Sequence, residues 1–276
     1  MKKRQYPVLT AMGLLLCFHG VARSQGRPPN PKVILGEMIA LYKGASSYQD
    51  SGVVNLLPGD PALLASSKGF GFSGVSYREE MLVSFKMYYA RPRMFRFDWT
   101  SSSPRASREA VVWSDGKRAY SWTPNMAVWD GSFTLFEEAS LGACLEAAMR
   151  SSSGAAYNVP TLLIKEVSPA KFADYLNTMA EVSLLREEML DRESCHVIGG
   201  KIFGTPWVLW VGKRSRLLRK SRTLYVRGSF HDSLKGVAET SVAEEIHRDI
   251  RINEKIPEGV FRYGPQILAG DVDLTR

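Results

Sequence analysis

The chain has 276 residues, a formal net charge of +8, 45% hydrophobic residues, four histidines and three cysteines. Its length suits one large domain or two small ones, and its apolar fraction is enough for a substantial core. The positive charge is too mild to argue for a nucleic-acid partner, and no stretch past the N-terminus is apolar enough to cross a membrane.

The N-terminus reads as a secretory leader. Lys2, Lys3 and Arg4 make a positive start, Val8 to Phe18 an apolar run, and Ala22-Arg23-Ser24 a small-residue cleavage site. Cleavage is expected after Ser24. Cys17 follows Leu16, not the small residue a lipid-anchored precursor needs, so the expectation is a soluble periplasmic protein. Removing Lys2, Lys3, Arg4 and Arg23 takes the charge from +8 to +4, which suits an anionic membrane surface or an acidic partner. The expected organisation is a signal peptide over 1–24, a Pro-rich flexible lead-in over 25–31, and a single domain over 32–276.

Apolar spacing from Lys32 to Ser47 predicts an amphipathic helix. A first strand follows over Tyr48 to Leu57, then a turn at Pro58-Gly59-Asp60-Pro61 and a Gly/Ser-rich loop over Ala65 to Gly74. Met81 to Trp99 reads as two strands meeting at Arg91-Pro92. Val83, Phe85, Met87 and Tyr89 share one face, as do Phe95, Phe97 and Trp99. Glu109 to Trp113 and Lys117 to Trp122 flank Asp115-Gly116, a strong hairpin signal. A short strand is expected at Ala127 to Trp129, and a helix over Phe133 to Met149. Val159 to Val167 reads as helical or extended, and Lys171 to Leu176 is ambiguous. The last third is strand after strand: Glu181 to Leu190, Ser194 to Ile202, Pro206 to Val211, Leu217 to Arg227 and Thr240 to Ile252. Helices at the start and middle with serial strands elsewhere predict α+β with one antiparallel sheet.

No constellation reads as catalytic. Gly69, Gly71 and Gly74 match a dinucleotide fingerprint, but an alternating strand follows where a helix is needed. His247-Arg248-Asp249 imitates a kinase catalytic loop without its companions and reads as an outward polar segment of a strand. Cys195 and His196 are adjacent on a strand, so their side chains face opposite ways. The histidines show no metal-ligand spacing, and Glu137-Glu138 and Glu187-Glu188 read as solvated pairs. No cofactor and no metal are expected.

Cys144 and Cys195 survive leader removal, and in an oxidising compartment a disulfide between them is expected, worth roughly 4 kcal/mol. The competing readings are a metal site, a reactive thiol or two unrelated buried thiols. Lys213, Arg214 and Arg216 sit at an expected hairpin tip. They read as a wet charged turn or as a basic patch for anionic headgroups or an acidic envelope protein. Phe85, Met87, Phe95, Phe97, Trp99, Tyr120 and Trp122 read either as an ordinary core or as the lining of a cavity for an apolar or lipid-like ligand.

Five segments, Ile39 to Ser51, Tyr88 to Trp99, Val112 to Tyr120, Val208 to Arg219 and Ile250 to Phe261, resemble the LolA/LolB-like periplasmic lipoprotein-carrier superfamily. The resemblance implies an unclosed, strongly curved antiparallel half-barrel. Helices at Lys32 to Ser47 and Phe133 to Met149 would lie over its open side as a lid. It also implies a non-catalytic carrier of acyl chains, or an envelope regulatory module of the same fold acting through protein contacts.

Overall fold

A computed structural model describes residues 29–58, 80–101, 108–124, 133–152, 154–164, 175–227 and 239–262. The leader, the Gly69 to Gly74 loop and the expected strand at Ala127 to Trp129 lie outside the described residues.

Among the described residues, eleven strands form one antiparallel sheet. They are β1 (Ser47–Pro58), β2 (Glu80–Ala90), β3 (Met94–Ser101), β4 (Arg108–Asp115), β5 (Ala119–Pro124), β6 (Phe133–Glu138), β7 (Ala180–Leu190), β8 (Glu193–Ile202), β9 (Thr205–Gly212), β10 (Leu218–Arg227) and β11 (Glu239–Ile252). Their order is β6-β5-β4-β3-β2-β1-β11-β10-β9-β8-β7, and the two outermost strands do not pair with each other. The fold is the expected α+β half-barrel, a curved sheet left unclosed.

Helix α1 (Pro31–Gly44) opens the described chain. The Asn30 side chain caps it by accepting from Lys32 N at 3.0 Å, and Pro31 fits the first turn, where no amide donor is needed. The expected helix over Phe133 to Met149 is corrected. Its first third is edge strand β6, and α2 begins only at Leu141 (Leu141–Ser151). The break falls where Ser140 Oγ accepts from Ala143 N at 3.1 Å, a cap that the preceding aromatic residues cannot supply. A short α3 (Val159–Leu163) and a 3-10 turn (Tyr175–Thr178) complete the helical layer.

One apolar core joins α1, α2 and α3 to the concave face of the sheet. A smaller cluster on the outer face gathers Cys195, Val197, Val208, Trp210 and Val242. A second outer cluster joins Val111, Trp113 and Trp122. Strand β11 carries one extra residue opposite Asp50: Gln49 pairs Arg251 but Ser51 pairs Arg248. Asp249, at φ 52°, absorbs this bulge.

Candidate functional site

The concave face is built by strand register. Phe85 pairs Trp99, Met87 pairs Phe97 and Tyr89 pairs Phe95, so all six side chains point to one side. Phe85 stacks on Phe97 with centroids 5.5 Å apart, and Phe97 meets Trp99 at the same separation. From the helical layer, Ile34, Leu35, Met38, Ile39 and Tyr42 of α1 join the same core. Phe85, Met87, Phe95, Phe97 and Trp99 are all buried and share one core with residues of α1, α2 and α3. Burying each such side chain stabilises the fold by about 1.5–3 kcal/mol.

Tyr120 and Trp122 do not join these five. Trp113 pairs Tyr120 and Val111 pairs Trp122, which puts all four on the outer face, with Trp113 and Tyr120 stacked at 5.1 Å. The inward residues of this hairpin are instead the small Ala110, Val112, Ser114, Ala119 and Ser121. Small residues let α2 lie close: Cys144 Sγ reaches the carbonyl oxygens of Tyr120 at 3.3 Å and Trp113 at 3.7 Å. The bulkier face of the hairpin therefore turns outward, against the sequence expectation.

The expected disulfide is also corrected, because Cys144 and Cys195 are both free and buried. Cys144 lies beneath α2 against β4 and β5, whereas Cys195 lies on the outer face of β8. Strands β3, β2, β1, β11, β10 and β9 stand between them. Burial raises both thiols, Cys195 to about 11, which leaves neither as a ready thiolate. His196 pairs Val211 on the inner side, so it and Cys195 do face opposite ways.

A buried polar cluster was not legible in the sequence. His247, read as outward, is 1% exposed and lies on the concave face opposite Gly52. Its Nδ1 is 2.7 Å from Asp50 Oδ2, and its Nε2 is 3.2 Å from Glu245 Oε1. Tyr48 donates its phenol to Asp50 at 2.9 Å. Asn158, at the start of α3, donates to Glu245 and, at 3.0 Å, to Ser221, and accepts from Tyr175 at 2.8 Å. Burial alone would depress the His247 imidazole. The Glu245 charge beside the ring and the bond to Asp50 outweigh it and raise the group to about 10. With both ring nitrogens turned to carboxylates, His247 has none left to accept a proton from a nucleophile. Chemically, the cluster ties α3 and the turn after it to β1, β10 and β11. Strand β11 alternates polar side chains on both faces (Glu244 and Arg248 outward, Glu245 and His247 inward), so no apolar period marks its buried side.

The basic tip falls where expected, in the β9–β10 turn, but two of its three charges are paired. Lys213 pairs with Glu187, and Arg216 pairs with Glu37 of α1 at 3.4 Å. Glu193 holds the turn by accepting from the backbone amides of Arg214 and Ser215 at 3.2 and 2.8 Å. Arg214 itself is exposed.

No protein-family model matches the chain, and no curated protein does. Solved structures do. LppX, a lipoprotein of Mycobacterium tuberculosis, is 11% identical over 84% of this chain and 99% of its own, with a TM-score of 0.41. LprF of Mycobacterium bovis is 10% identical over 83% of this chain and 96% of its own, with a TM-score of 0.43. A LolA superfamily protein of Nitrosomonas europaea is 11% identical over 85% of this chain and 98% of its own, with a TM-score of 0.30.

Proposed function

We propose that this is an exported, non-catalytic binding protein that takes an apolar or lipid-like ligand between the concave face of the half-barrel and its helical cover. The observation that carries the reading is the run of Phe85, Phe97 and Trp99, flanked by Met87 and Phe95, in one core with residues of three short helices and, among the described residues, with no second sheet. Apolar contact of helix on sheet is non-directional, so a ligand's methylenes can replace it at about 0.8 kcal/mol each, less the ordering of the ligand. The protein's own side chains fill this core, so on this reading uptake requires the helical layer to move off the sheet.

The test is photo-crosslinking with a diazirine-bearing palmitate, followed by peptide mapping. Adducts are expected on β2 and β3. Adducts confined to other elements, or none, would sink the assignment. A second reading, an envelope scaffolding module working through protein contacts, draws on edge strand β6, where Leu135 and Phe136 are exposed. In that case Phe136→Glu would abolish capture of an envelope protein and leave lipid uptake intact.

A further inference from the structure

The two edges of the open sheet are not alike. Among the described residues they are β6 and β7, each hydrogen-bonded to a strand on one side only. Strand β7 is blunted in the ways that keep a strand edge from pairing. Its register with β8 shifts at Ala180/Ser183 and again at Leu184/Arg186, and it carries Glu181, Arg186, Glu187 and Glu188. Glu181 pairs with Lys201, and Glu187 with Lys213. Strand β6 has no bulge, and its charges are confined to one end. Its register with β5 runs unbroken from Ala119↔Glu138 to Pro124↔Phe133, and Phe133-Thr134-Leu135-Phe136 holds neither a charge nor a proline. Leu135 is 39% and Phe136 53% exposed, on opposite faces: Leu135 pairs Trp122 outward and Phe136 pairs Ser121 inward. An apolar strand edge left in water is a template for a further strand.

We infer that β6 pairs with β6 of a second copy of this chain, antiparallel about a twofold axis at Leu135. The blunted β7 disfavours head-to-tail pairing of β6 on β7, which would also propagate without closing, whereas an isologous pair closes on itself. Keeping inner face with inner and outer with outer requires a ladder centred on a single residue. Centred on Leu135, the ladder sets Leu135 opposite Leu135, Phe136 opposite Thr134 and Glu137 opposite Phe133, so no acid meets an acid. The two Glu137 then stand about 14 Å apart along the strands. Centring on Phe136 brings them to about 7 Å, and centring on Glu137 opposes them directly. Centring on Thr134 shortens the ladder within β6.

Register also makes Leu135 the next residue after Val111 and Trp122 in an outer apolar row, which the second copy continues across the axis. A strand edge of this length is a small interface, so the expected species is a reversible dimer and not an obligate one. The pairing does not rest on a ligand for the concave face. It commits to a second copy the edge that an envelope protein would otherwise use.

The experiment is sedimentation velocity over a concentration series of the wild type, L135K, L135E and an equimolar mixture of the two variants. Circular dichroism checks the fold. The wild type is expected to pass from monomer to dimer as concentration rises. Each variant alone opposes like charges at the axis and should raise the dimer dissociation constant about 10-fold or more, and the mixture should recover it as a mixed dimer. Should a variant fold poorly, Leu135→Cys gives the reading. Residues directly opposite have Cα atoms about 5 Å apart, within disulfide reach, so mild oxidation should link the two chains. Glu137→Cys, remote from its counterpart, should not link, and the native Cys144 and Cys195 are buried and give no background. A wild type that stays monomeric throughout, variants that dimerise as it does, or a mixture no tighter than its components would overturn the pairing. So would a monomer that holds an envelope protein at this edge and loses it on Phe136→Glu. Palmitate crosslinking on the concave face bears on neither result.

Discussion

Gly52 is where the concave face leaves no room for a side chain. A Cβ there would fall 2.2 Å from Phe85 Cζ and 2.5 Å from the Ile246 carbonyl oxygen, and the backbone atom cannot step aside. Gly52→Ala is expected to destabilise by about 1–3 kcal/mol, read as a lowered urea midpoint at unchanged slope. An unchanged midpoint would mean that β1 and β11 do not approach this closely. The neighbouring His247 gives a pH signature. Its group is raised from 6.5 to about 10 on folding, so its stabilisation is fully present below pH 6.5 and lost as pH rises toward 10. The urea midpoint of the wild type should therefore fall over that window relative to His247→Gln. The variant itself should lose about 3–5 kcal/mol at pH 7, because Asp50 and Glu245 are left without their cation. Parallel pH profiles would contradict a charged, buried imidazole.

At the scale of elements, the C-terminal end of α1 is tied to the β2–β3 turn. Arg91, in the β2–β3 turn, donates Nε to the Ala45 carbonyl at 2.6 Å and Nη2 to the Lys43 carbonyl, which satisfies the C-terminal end of α1. Arg91→Met should cost about 2 kcal/mol and accelerate amide exchange in the last turn of α1 while α2 exchanges as before. Uniform acceleration would mean the helices open as one unit. These elements also mark how far the sequence could be read. The β2–β3 pair was legible because its alternation is clean and bulky on one side, and the Asp115-Gly116 hairpin because its turn chemistry is specific: Gly116 sits at φ 93°. The facing of that hairpin was not legible, since both of its sides are apolar and size pointed the wrong way. Only the close approach of α2 decides it. Strand β6 was hidden for a related reason: Phe136, Leu141, Cys144 and Leu145 keep a helical spacing across a boundary that only the Ser140 cap marks. The buried cluster around His247 was invisible because charged side chains on a strand ordinarily face water.

For the whole molecule, two free thiols buried in separate clusters mean that the sheet is held by packing and register, without a covalent link between its halves. In denaturant, Cys144 and Cys195 should both alkylate without reductant, and the mass should not change when reductant is added. On the proposed reading, the half-barrel's large rings would contact a ligand in place of the core residues they pack against here. Native mass spectrometry of the protein purified from a periplasmic extract, followed by lipid extraction of the same sample, tests this most directly. We expect a mass above that of the polypeptide that collapses on extraction and releases an acyl species. A protein that leaves the cell at its polypeptide mass, and stays there after incubation with palmitate or phospholipid, would contradict it.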